Sequence, residues 1–253
     1  MRRIKLIVAY DGTEYSGWQI QPEAPTIEMY LDKAIRELTG ENVHVTGASR
    51  TDAGVHAYGN VAVFDTESTI PGDRFTFALN RFLPDSIVIQ DSWEVPVDFH
   101  PRHCDTRKTY EYRILNTAVP LPQKRNFTWH VAGSIDIEKM KEAAAYIVGE
   151  HDFKSFCCVR TQAESTVRTI YSLEVLQEGS EIIIRIKGNG FLYNMVRIIT
   201  GTLIQVGKGR FKPEYVKQML EAKDRTVAGQ TAPPQGLTLV GIEYVDNDDA
   251  RVV

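Results

Sequence analysis

The feature that most constrains the fold is a helical stripe set between apolar segments of β type near the start of the chain. Residues 4–10 (IKLIVAY) are typical of a buried strand, and Asp11-Gly12 ends that strand with a turn signal. Apolar side chains then recur every three or four residues, at Ile27, Tyr30, Leu31, Ala34, Ile35 and Leu38. This spacing predicts one buried helix face. Burying each large member contributes roughly 1.5–3 kcal/mol, so the stripe is expected to be core.

The segments that follow predict a layered fold. Residues 43–47, 60–66 and 86–93 read as strands, and residues 73–82 read as a helix. The order β-α-β-β-α-β is that of a ferredoxin-like layer, a sheet with helices on one face. Similar signals recur later, with strands at 109–116, 167–177, 181–187 and 237–245 and helices at 136–149, 191–206 and 213–221.

These patterns predict an α+β protein made of two similar ferredoxin-like halves. The expected arrangement is a continuous antiparallel sheet with helices on one face and a central cleft, where sites usually form. The first half, residues 1–104, carries a loop containing Asp52. The second half, residues 105–253, carries Tyr110 and Arg197. No linker is evident, so we expect one rigid unit.

Composition excludes several classes of protein. No apolar run is long enough to span a bilayer, and residues 1–10 read as a first strand and not as a signal peptide because Lys5 interrupts them. Cys104, Cys157 and Cys158 are odd in number and lack CxxC spacing, which suits a reducing compartment and predicts no zinc site. His100 and His103 lack the partners of a metal site.

Charge is distributed unevenly. The net charge of −4 and the pI near 5.9 argue mildly against a nucleic-acid partner. Between His100 and His130, however, the sequence contains six Lys or Arg residues and only two acidic residues. Four aromatic residues are interleaved with them: Tyr110, Tyr112, Phe127 and Trp129. Such a stretch is typical of an RNA-binding surface. The alternative is a solvated pair of strands whose charges face water.

Three residues are candidates for chemistry. Asp52 lies in residues 50–56 (RTDAGVH), where a nearby cation such as Arg50 would lower a carboxylate pKa by about 1–3 units and leave a nucleophile or a general base. It could instead be an ordinary turn former. Tyr110 shares a strand face with Tyr112, either as core or as a platform for a base. Arg197, in an apolar segment, needs a carboxylate partner or reaches water from the helix edge.

Several stretches together resemble the tRNA pseudouridine synthase A family across essentially the whole chain. They are residues 10–13 (YDGT) with 17–19 (GWQ), 49–57 (SRTDAGVHA), 99–102 (FHPR) with 110–112 (YEY), 190–192 (GFL) with 195–197 (MVR), and 232–234 (APP) with 236–237 (GL). The resemblance implies that Asp52 is the single catalytic aspartate and that Arg197 pairs with it. It also implies that Tyr110 stacks on the target uracil and that Arg50 contacts the tRNA and holds the base flipped.

Two further segments align with tRNA-contacting segments of the family. The first comprises Phe99, His100, Pro101, Arg102 and His103, and the second comprises Gln162, Ala163, Glu164, Ser165 and Thr166. The chain departs from the family pattern at Ser49, where glycine is common, and at Pro101 and Gly190, where alanine is common. Glu164 stands where an arginine or another polar residue is often found, which weakens the prediction that the second segment binds phosphate.

The resemblance implies isomerisation of uridine to pseudouridine at positions 38–40 of the tRNA anticodon stem-loop, after base flipping. It also implies a cytoplasmic homodimer that uses no metal and no organic cofactor and does not associate with a membrane. Two alternatives come from the residues alone. A non-catalytic RNA-binding protein would usually show Phe and Gly alternating on a strand, which this chain lacks. A glycosidase-like hydrolase needs a second acid, and the sequence places none near Asp52.

Overall fold

The structure, a computed structural model, describes residues 1–158 and 164–245. Within them the strands are β1 (Arg2–Tyr10), β2 (Thr46–Gly47), β3 (His56–Thr66), β4 (Ile87–Val95), β5 (Thr106–Leu115), β6 (Trp129–His130), β7 (Gly149–Asp152), β8 (Val167–Glu178), β9 (Glu181–Gly188) and β10 (Leu237–Tyr244). The helices are α1 (Ile27–Thr39), α2 (Phe75–Leu79), α3 (Ile137–Ala145), α4 (Met195–Gly207) and α5 (Tyr215–Ala222). The predicted α+β class is confirmed.

The chain forms two compact units. The first comprises Met1–Thr106 and the described residues from Thr238 onward, and the second comprises Arg107–Leu237. In the first unit the strand order is β4-β1-β3-β10, with β2 beside β3. β1 runs antiparallel to β3 and β4, whereas β10 pairs with β3 in parallel. The last strand, which follows the second half along the chain, therefore lies in the first unit.

Helix α1 forms where the stripe predicts it. Its members Ile27, Leu31 and Ile35 are fully buried. Thr26 caps the first turn by accepting a hydrogen bond from the Met29 N–H, and Gly40 ends the helix in the left-handed conformation, with φ 76°. These are the capping residues that helix ends prefer.

The sheet of the first unit is buried on both faces. Successive residues of β1 point to opposite sides, and one side carries an apolar cluster: Ile7, Ala48, Val61, Val63, Trp93, Val95 and Phe99, with Ile242 and Tyr244 packed against it. Lys5 is 3% exposed, and its ammonium lies 4.7, 5.0 and 4.6 Å from the ring centroids of Trp93, Phe99 and Tyr244. Cation–π attraction to three rings offsets part of the cost of burying that charge.

In the second unit the strand order is β5-β9-β8-β7, and β6 lies parallel beside β5. β8 and β9 form the expected hairpin, whose turn contains Gly179 with φ 58°. Strand pairing is thus mainly antiparallel, with one parallel pair in each unit. The predicted placement of one half against the other, with its cleft, stays a prediction.

Some element boundaries differ from those the sequence predicts. The helix expected over 191–206 begins at Met195, because Asn194 adopts a left-handed conformation with φ 63° that interrupts regular winding. The helix expected over 73–82 is reduced to α2, preceded by a short 3-10 turn. β6 and β7 are too short to show alternation of apolar and polar residues. Among the described residues, no helix is both long and apolar enough to cross a bilayer.

Candidate active site

The loop between β2 and β3 presents its side chains alternately inward and outward. Ser49 and Thr51 are buried, whereas Arg50 is exposed and Asp52 is partly exposed. The backbone is therefore anchored through the inward residues, and the two candidate functional side chains remain accessible from the other side.

Two buried side chains anchor the inward residues. Asn60 on β3 accepts a hydrogen bond from the Ser49 N–H at 3.2 Å, and its amide nitrogen donates to the Ser49 carbonyl at 2.9 Å. Tyr10, at the end of β1, shares a 2.8 Å hydrogen bond between its hydroxyl and Thr51 Oγ1. Because these partners lie on central strands, the loop takes its position from the rigid part of the sheet.

The segment from Gly12 to Trp18 forms the other support of this loop. The Trp18 N–H donates to the Thr51 carbonyl at 3.1 Å, and the Gly54 N–H donates to the Tyr15 carbonyl at 3.1 Å. A Cβ on Gly12 would lie 2.1 Å from the Val55 carbonyl oxygen, so only glycine permits this approach. The stretches 10–19 and 49–57, separate in the sequence, are thus one structural unit.

His56 joins the same two segments. Its ring is 3% exposed, and its Nδ1 accepts a 3.0 Å hydrogen bond from the Gly12 N–H. Asp11 Oδ1 lies 3.2 Å from that nitrogen. The imidazole nitrogen thus lies between the Gly12 N–H and the Asp11 carboxylate and ties β3 to the segment that follows β1.

Residues 99–103 divide into anchors and exposed groups. Phe99 and Pro101 are buried, and Tyr244 donates a hydrogen bond from its hydroxyl to the Pro101 carbonyl at 3.1 Å. His100 and His103 stack with ring centroids 3.8 Å apart. Burial, together with the neighbouring charges of His103 and arginines, lowers the pKa of His100, so its ring is neutral at neutral pH. A neutral ring is compatible with that stack.

Arg102 extends from this segment to the Asp52 loop. Its Nε donates to the Gly47 carbonyl at 2.6 Å. Burial and the positive charge of Arg50 both lower the pKa of Arg102, which indicates that the two guanidinium groups are close to each other. Arg102 thus joins residues 99–103 to the end of β2, near enough to Arg50 for the two charges to interact.

Tyr110 and Tyr112 lie on the same face of β5 but have different surroundings. Tyr110 is 7% exposed and packs edge-on against Phe191, with centroids 5.1 Å apart. Tyr112 is fully buried, and its hydroxyl donates to the Pro233 carbonyl at 2.7 Å. Burial raises the pKa of Tyr112, against the opposing positive charge of Arg197. Tyr112 is thus a core residue, and of the two tyrosines only Tyr110 remains a candidate for contact with a base.

Arg197 is fixed in the first turn of α4. Its Nε donates to the Ala232 carbonyl at 2.7 Å, and its Nη1 donates to Asn194 Oδ1 at 2.7 Å. The Ala232 N–H in turn donates to the Arg197 carbonyl at 3.1 Å. The segment 232–234 and the helix start, which the sequence shows as separate motifs, therefore hold one guanidinium in a defined orientation.

The last predicted segment is described only in part, since Gln162 and Ala163 lie outside the described residues. Glu164 and Ser165 are exposed, and the Thr166 hydroxyl donates to Asp152 Oδ1 at 2.5 Å. In the part of the chain that the structure describes, no group of three or more His, Cys, Asp or Glu side chains could hold a metal ion.

Sequence reasoning missed the residues that support the site. Asn60 is the clearest case: a fully buried asparagine within an apolar strand is disfavoured unless its amide is fully hydrogen-bonded. That conflict between residue type and strand pattern is a signal that the sequence does contain. The roles of Gly12 and His56 depend on contacts with distant residues, and no local pattern indicates them.

A comparison with protein-family models decides the family. The model described as tRNA pseudouridine synthase matches residues 6–103 and 143–245. The chain belongs to the tRNA pseudouridine synthase family. The synthase is accordingly an isomerase that acts on tRNA, and the predicted resemblance is confirmed.

Individual relatives agree with this assignment. The synthase is 51% identical to a Ruminiclostridium cellulolyticum protein named tRNA pseudouridine synthase A, over 96% of this chain and 100% of that protein. It is 49% identical to a protein of the same name from a Thermoanaerobacter species, with the same coverage. Among solved structures, a chain of the "Crystal Structure of a Cbf5-Nop10-Gar1 Complex" aligns with a TM-score of 0.30 and 12% identity, covering 93% of the synthase and 56% of that chain.

Proposed function

We propose that the synthase converts uridine to pseudouridine at positions 38–40 of the tRNA anticodon stem-loop, with Asp52 as its nucleophile. The observation that carries this proposal is the construction of the Asp52 loop. Its backbone is held by Asn60 and Trp18 and its Thr51 side chain by Tyr10, while the Asp52 side chain itself is partly exposed. A carboxylate held in this way can meet a substrate without losing orientation when the substrate binds.

The target base must leave the helical stack before a side chain can reach it. Extrusion of a base costs a few kcal/mol. Stacking on an aromatic ring returns about 1–3 kcal/mol, and Tyr110 is the ring we assign to this role. Arg50, which is exposed two residues before Asp52, occupies the space that the base vacates.

The chemical step rearranges bonds within one nucleotide. Asp52 attacks the nucleotide and forms a transient covalent bond, and the bond from the ribose to N1 of the uracil breaks. The base rotates, a new bond from the ribose forms at C5, and the bond to Asp52 breaks again, which restores the free carboxylate. The C5 proton is lost and N1 gains a proton, so no atom is added and no electron is transferred. Arg197 keeps Asp52 ionised in this proposal, because a nearby guanidinium favours the charged carboxylate. The family resemblance also supports a homodimer that works in the cytoplasm.

The test is the Asp52→Asn variant with an unmodified tRNA transcript. We expect no pseudouridine and a tRNA Kd close to the parental value, because the amide keeps the shape of the side chain but is a far weaker nucleophile. Asp73→Asn, which changes an exposed carboxylate in the same unit, is the matched control and should react normally. Pseudouridine made by Asp52→Asn at the parental rate would refute the assignment.

Mapping the modified positions tests the second part of the proposal. The parental enzyme should place pseudouridine at positions 38–40 and leave the other uridines of the transcript unchanged. Modification confined to another arm of the tRNA would contradict the proposed site while leaving the role of Asp52 intact.

A further inference from the structure

Three neighbouring strands of the second unit, β5, β9 and β8, carry basic side chains at one end. At this end Lys108 of β5 faces Gly188 of β9, which also faces Ile170 of β8. The residues of these three strands around that point, 106–110, 167–171 and 186–190, include four basic side chains and no acidic one: Arg107, Lys108, Arg168 and Lys187. The neighbouring edge strand β7 carries Glu150 and Asp152. Farther along the three strands the acids appear, at Glu111, Glu174, Glu178 and Glu181. The charge therefore changes along the three strands, and their basic end is the end that carries Tyr110.

Arg168 differs from its basic neighbours in how its side chain is held. It is half-buried, and its Nη1 donates both to the Ser165 carbonyl at 3.0 Å and to the Val167 carbonyl at 2.6 Å. These two bonds use one nitrogen of the guanidinium and fix the plane of the group. The edge formed by Nε and Nη2 has no hydrogen-bond acceptor among residues 1–158 and 164–245.

No carboxylate neutralises Arg168 within the described residues. The adjacent strand β7 carries Asp152, but that carboxylate pairs with Lys223 at 3.0 Å and accepts from the Thr166 hydroxyl. Burial lowers the pKa of Arg168, although a guanidinium remains protonated at neutral pH. A partly desolvated cation of this kind gains most from an anion supplied by a ligand.

The position of Arg168 links it to the base-binding residue. A Cβ built on Gly190 would lie 3.6 Å from Arg168 Nε and 3.8 Å from its Cδ, so the side chain of Arg168 passes beside Gly190. Phe191, the next residue, packs against Tyr110 with ring centroids 5.1 Å apart. Arg168 therefore lies beside Gly190, and the next residue along the chain, Phe191, carries the ring that packs against Tyr110.

We propose that Arg168 binds a backbone phosphate of the tRNA beside the uridine held on Tyr110, through Nε and Nη2. This inference rests on the proposed function, because it takes Tyr110 as the residue that stacks on the base. A guanidinium edge matches two phosphate oxygens, and an arginine already fixed in its plane loses little entropy on binding. The role of Arg168 is to position the nucleotide.

The test compares Arg168→Gln and Arg168→Lys with the parent for equilibrium binding of unmodified tRNA, in the Asp52→Asn background so that no reaction occurs. Glutamine keeps a hydrogen-bond donor on the side chain but carries no charge. We expect Arg168→Gln to raise the Kd about tenfold at moderate salt and to reduce the slope of log Kd against log salt by about one. Arg168→Lys should keep the parental slope and bind more weakly, since it loses the paired contact.

The matched control is Arg36→Gln, which removes an exposed charge on α1. It should leave both the Kd and the slope unchanged. In the otherwise parental enzyme, Arg168→Gln should raise KM and leave kcat near normal. An unchanged slope in Arg168→Gln would overturn the inference, even if the melting temperature falls, because a purely structural role does not change the number of phosphates neutralised. If Asp52→Asn alone still makes pseudouridine, the proposed function fails. An unchanged salt slope in Arg168→Gln, with Asp52→Asn inactive, refutes only the role of Arg168.

Discussion

Asn60 satisfies both backbone hydrogen-bonding groups of Ser49, accepting from its N–H at 3.2 Å and donating to its carbonyl at 2.9 Å. The asparagine is fully buried on β3, and Ser49 directly precedes Arg50. An amide matches a peptide unit in this way because it offers one donor and one acceptor side by side. The Asp52 loop is thus fixed to the sheet at a point three residues before the proposed nucleophile.

We therefore predict that Asn60→Asp is strongly destabilising. The carboxylate can accept from the Ser49 N–H but cannot donate to the carbonyl, and its charge is fully buried, so the free energy of unfolding should fall by about 2–4 kcal/mol. Urea denaturation measures this loss, and kcat at saturating tRNA should fall in the protein that remains folded. Asn42→Asp changes an exposed asparagine and should stay within about 0.5 kcal/mol of the parent. Equal stability of the two variants would contradict the anchoring role.

Gly12 gives a second prediction, about close backbone approach. The Cβ of Gly12→Ala would lie 2.1 Å from the Val55 carbonyl oxygen, so the backbone next to the Asp52 loop must move. We expect a loss of about 1–3 kcal/mol of stability, with kcat reduced more than tRNA affinity because Asp52 is displaced. At Gly190 the nearest atom to an added Cβ is 3.6 Å away, so Gly190→Ala should melt like the parent. A parental kcat in Gly12→Ala would show that the loop does not depend on this contact.

Substitutions of the two tyrosines of β5 should have different effects, on stability at Tyr112 and on activity at Tyr110. Tyr112→Phe removes the hydrogen bond to the Pro233 carbonyl and should cost about 0.5–1.5 kcal/mol of stability with little change in kcat. Tyr110→Phe keeps the ring against Phe191 and should retain tRNA binding. Tyr110→Ala removes the stacking surface, so pseudouridine formation should fall by an amount that corresponds to about 1–3 kcal/mol. Single-turnover rates give this comparison, and a normal rate in Tyr110→Ala would exclude Tyr110 as the stacking ring.

Asp152 leads to a prediction about pH. The Thr166 hydroxyl, with further help from Lys223, holds the pKa of Asp152 below its ordinary value despite partial burial. A lowered folded-state pKa means that the carboxylate stabilises the fold above its unfolded pKa of about 3.9 and that this contribution disappears as the pH falls through the folded pKa. Asp152→Asn should therefore be less stable than the parent by about 1–2 kcal/mol at pH 7, and the difference should shrink in acid.

Denaturant titrations from neutral to acidic pH measure that difference. Glu150→Gln on the same strand is the control, since the exposed Glu150 makes no ion pair among the described residues. It should stay within about 0.5 kcal/mol of the parent at every pH. A difference between Asp152→Asn and the parent that grows in acid would have the wrong sign and would contradict the assignment.

The sequence by itself determined the first strand and the first helix, and it singled out the Asp52 loop as the candidate site. The stripe from Ile27 to Leu38 and the strand at residues 4–10 are periodic patterns of adjacent residues, and the local backbone geometry follows from them directly. Asp52 and its neighbours were recognisable because the family motif they match is contiguous in the sequence. The start of α4 was misplaced by four residues because the left-handed conformation of Asn194 has no signal in apolar periodicity.

Only the tertiary structure decided what holds the site in place. The position of Ser49 depends on Asn60, and that of Gly12 depends on His56. The orientation of the Arg168 guanidinium depends on the carbonyls of Ser165 and Val167. It likewise decided that Tyr112 is core whereas Tyr110 stays a candidate for the base, although both share one strand face. The physical reason is that periodicity records only which side of an element is buried. Hydrogen bonds and close contacts between residues far apart in the chain depend on how the strands pair and where the loops pass, and no local pattern encodes that.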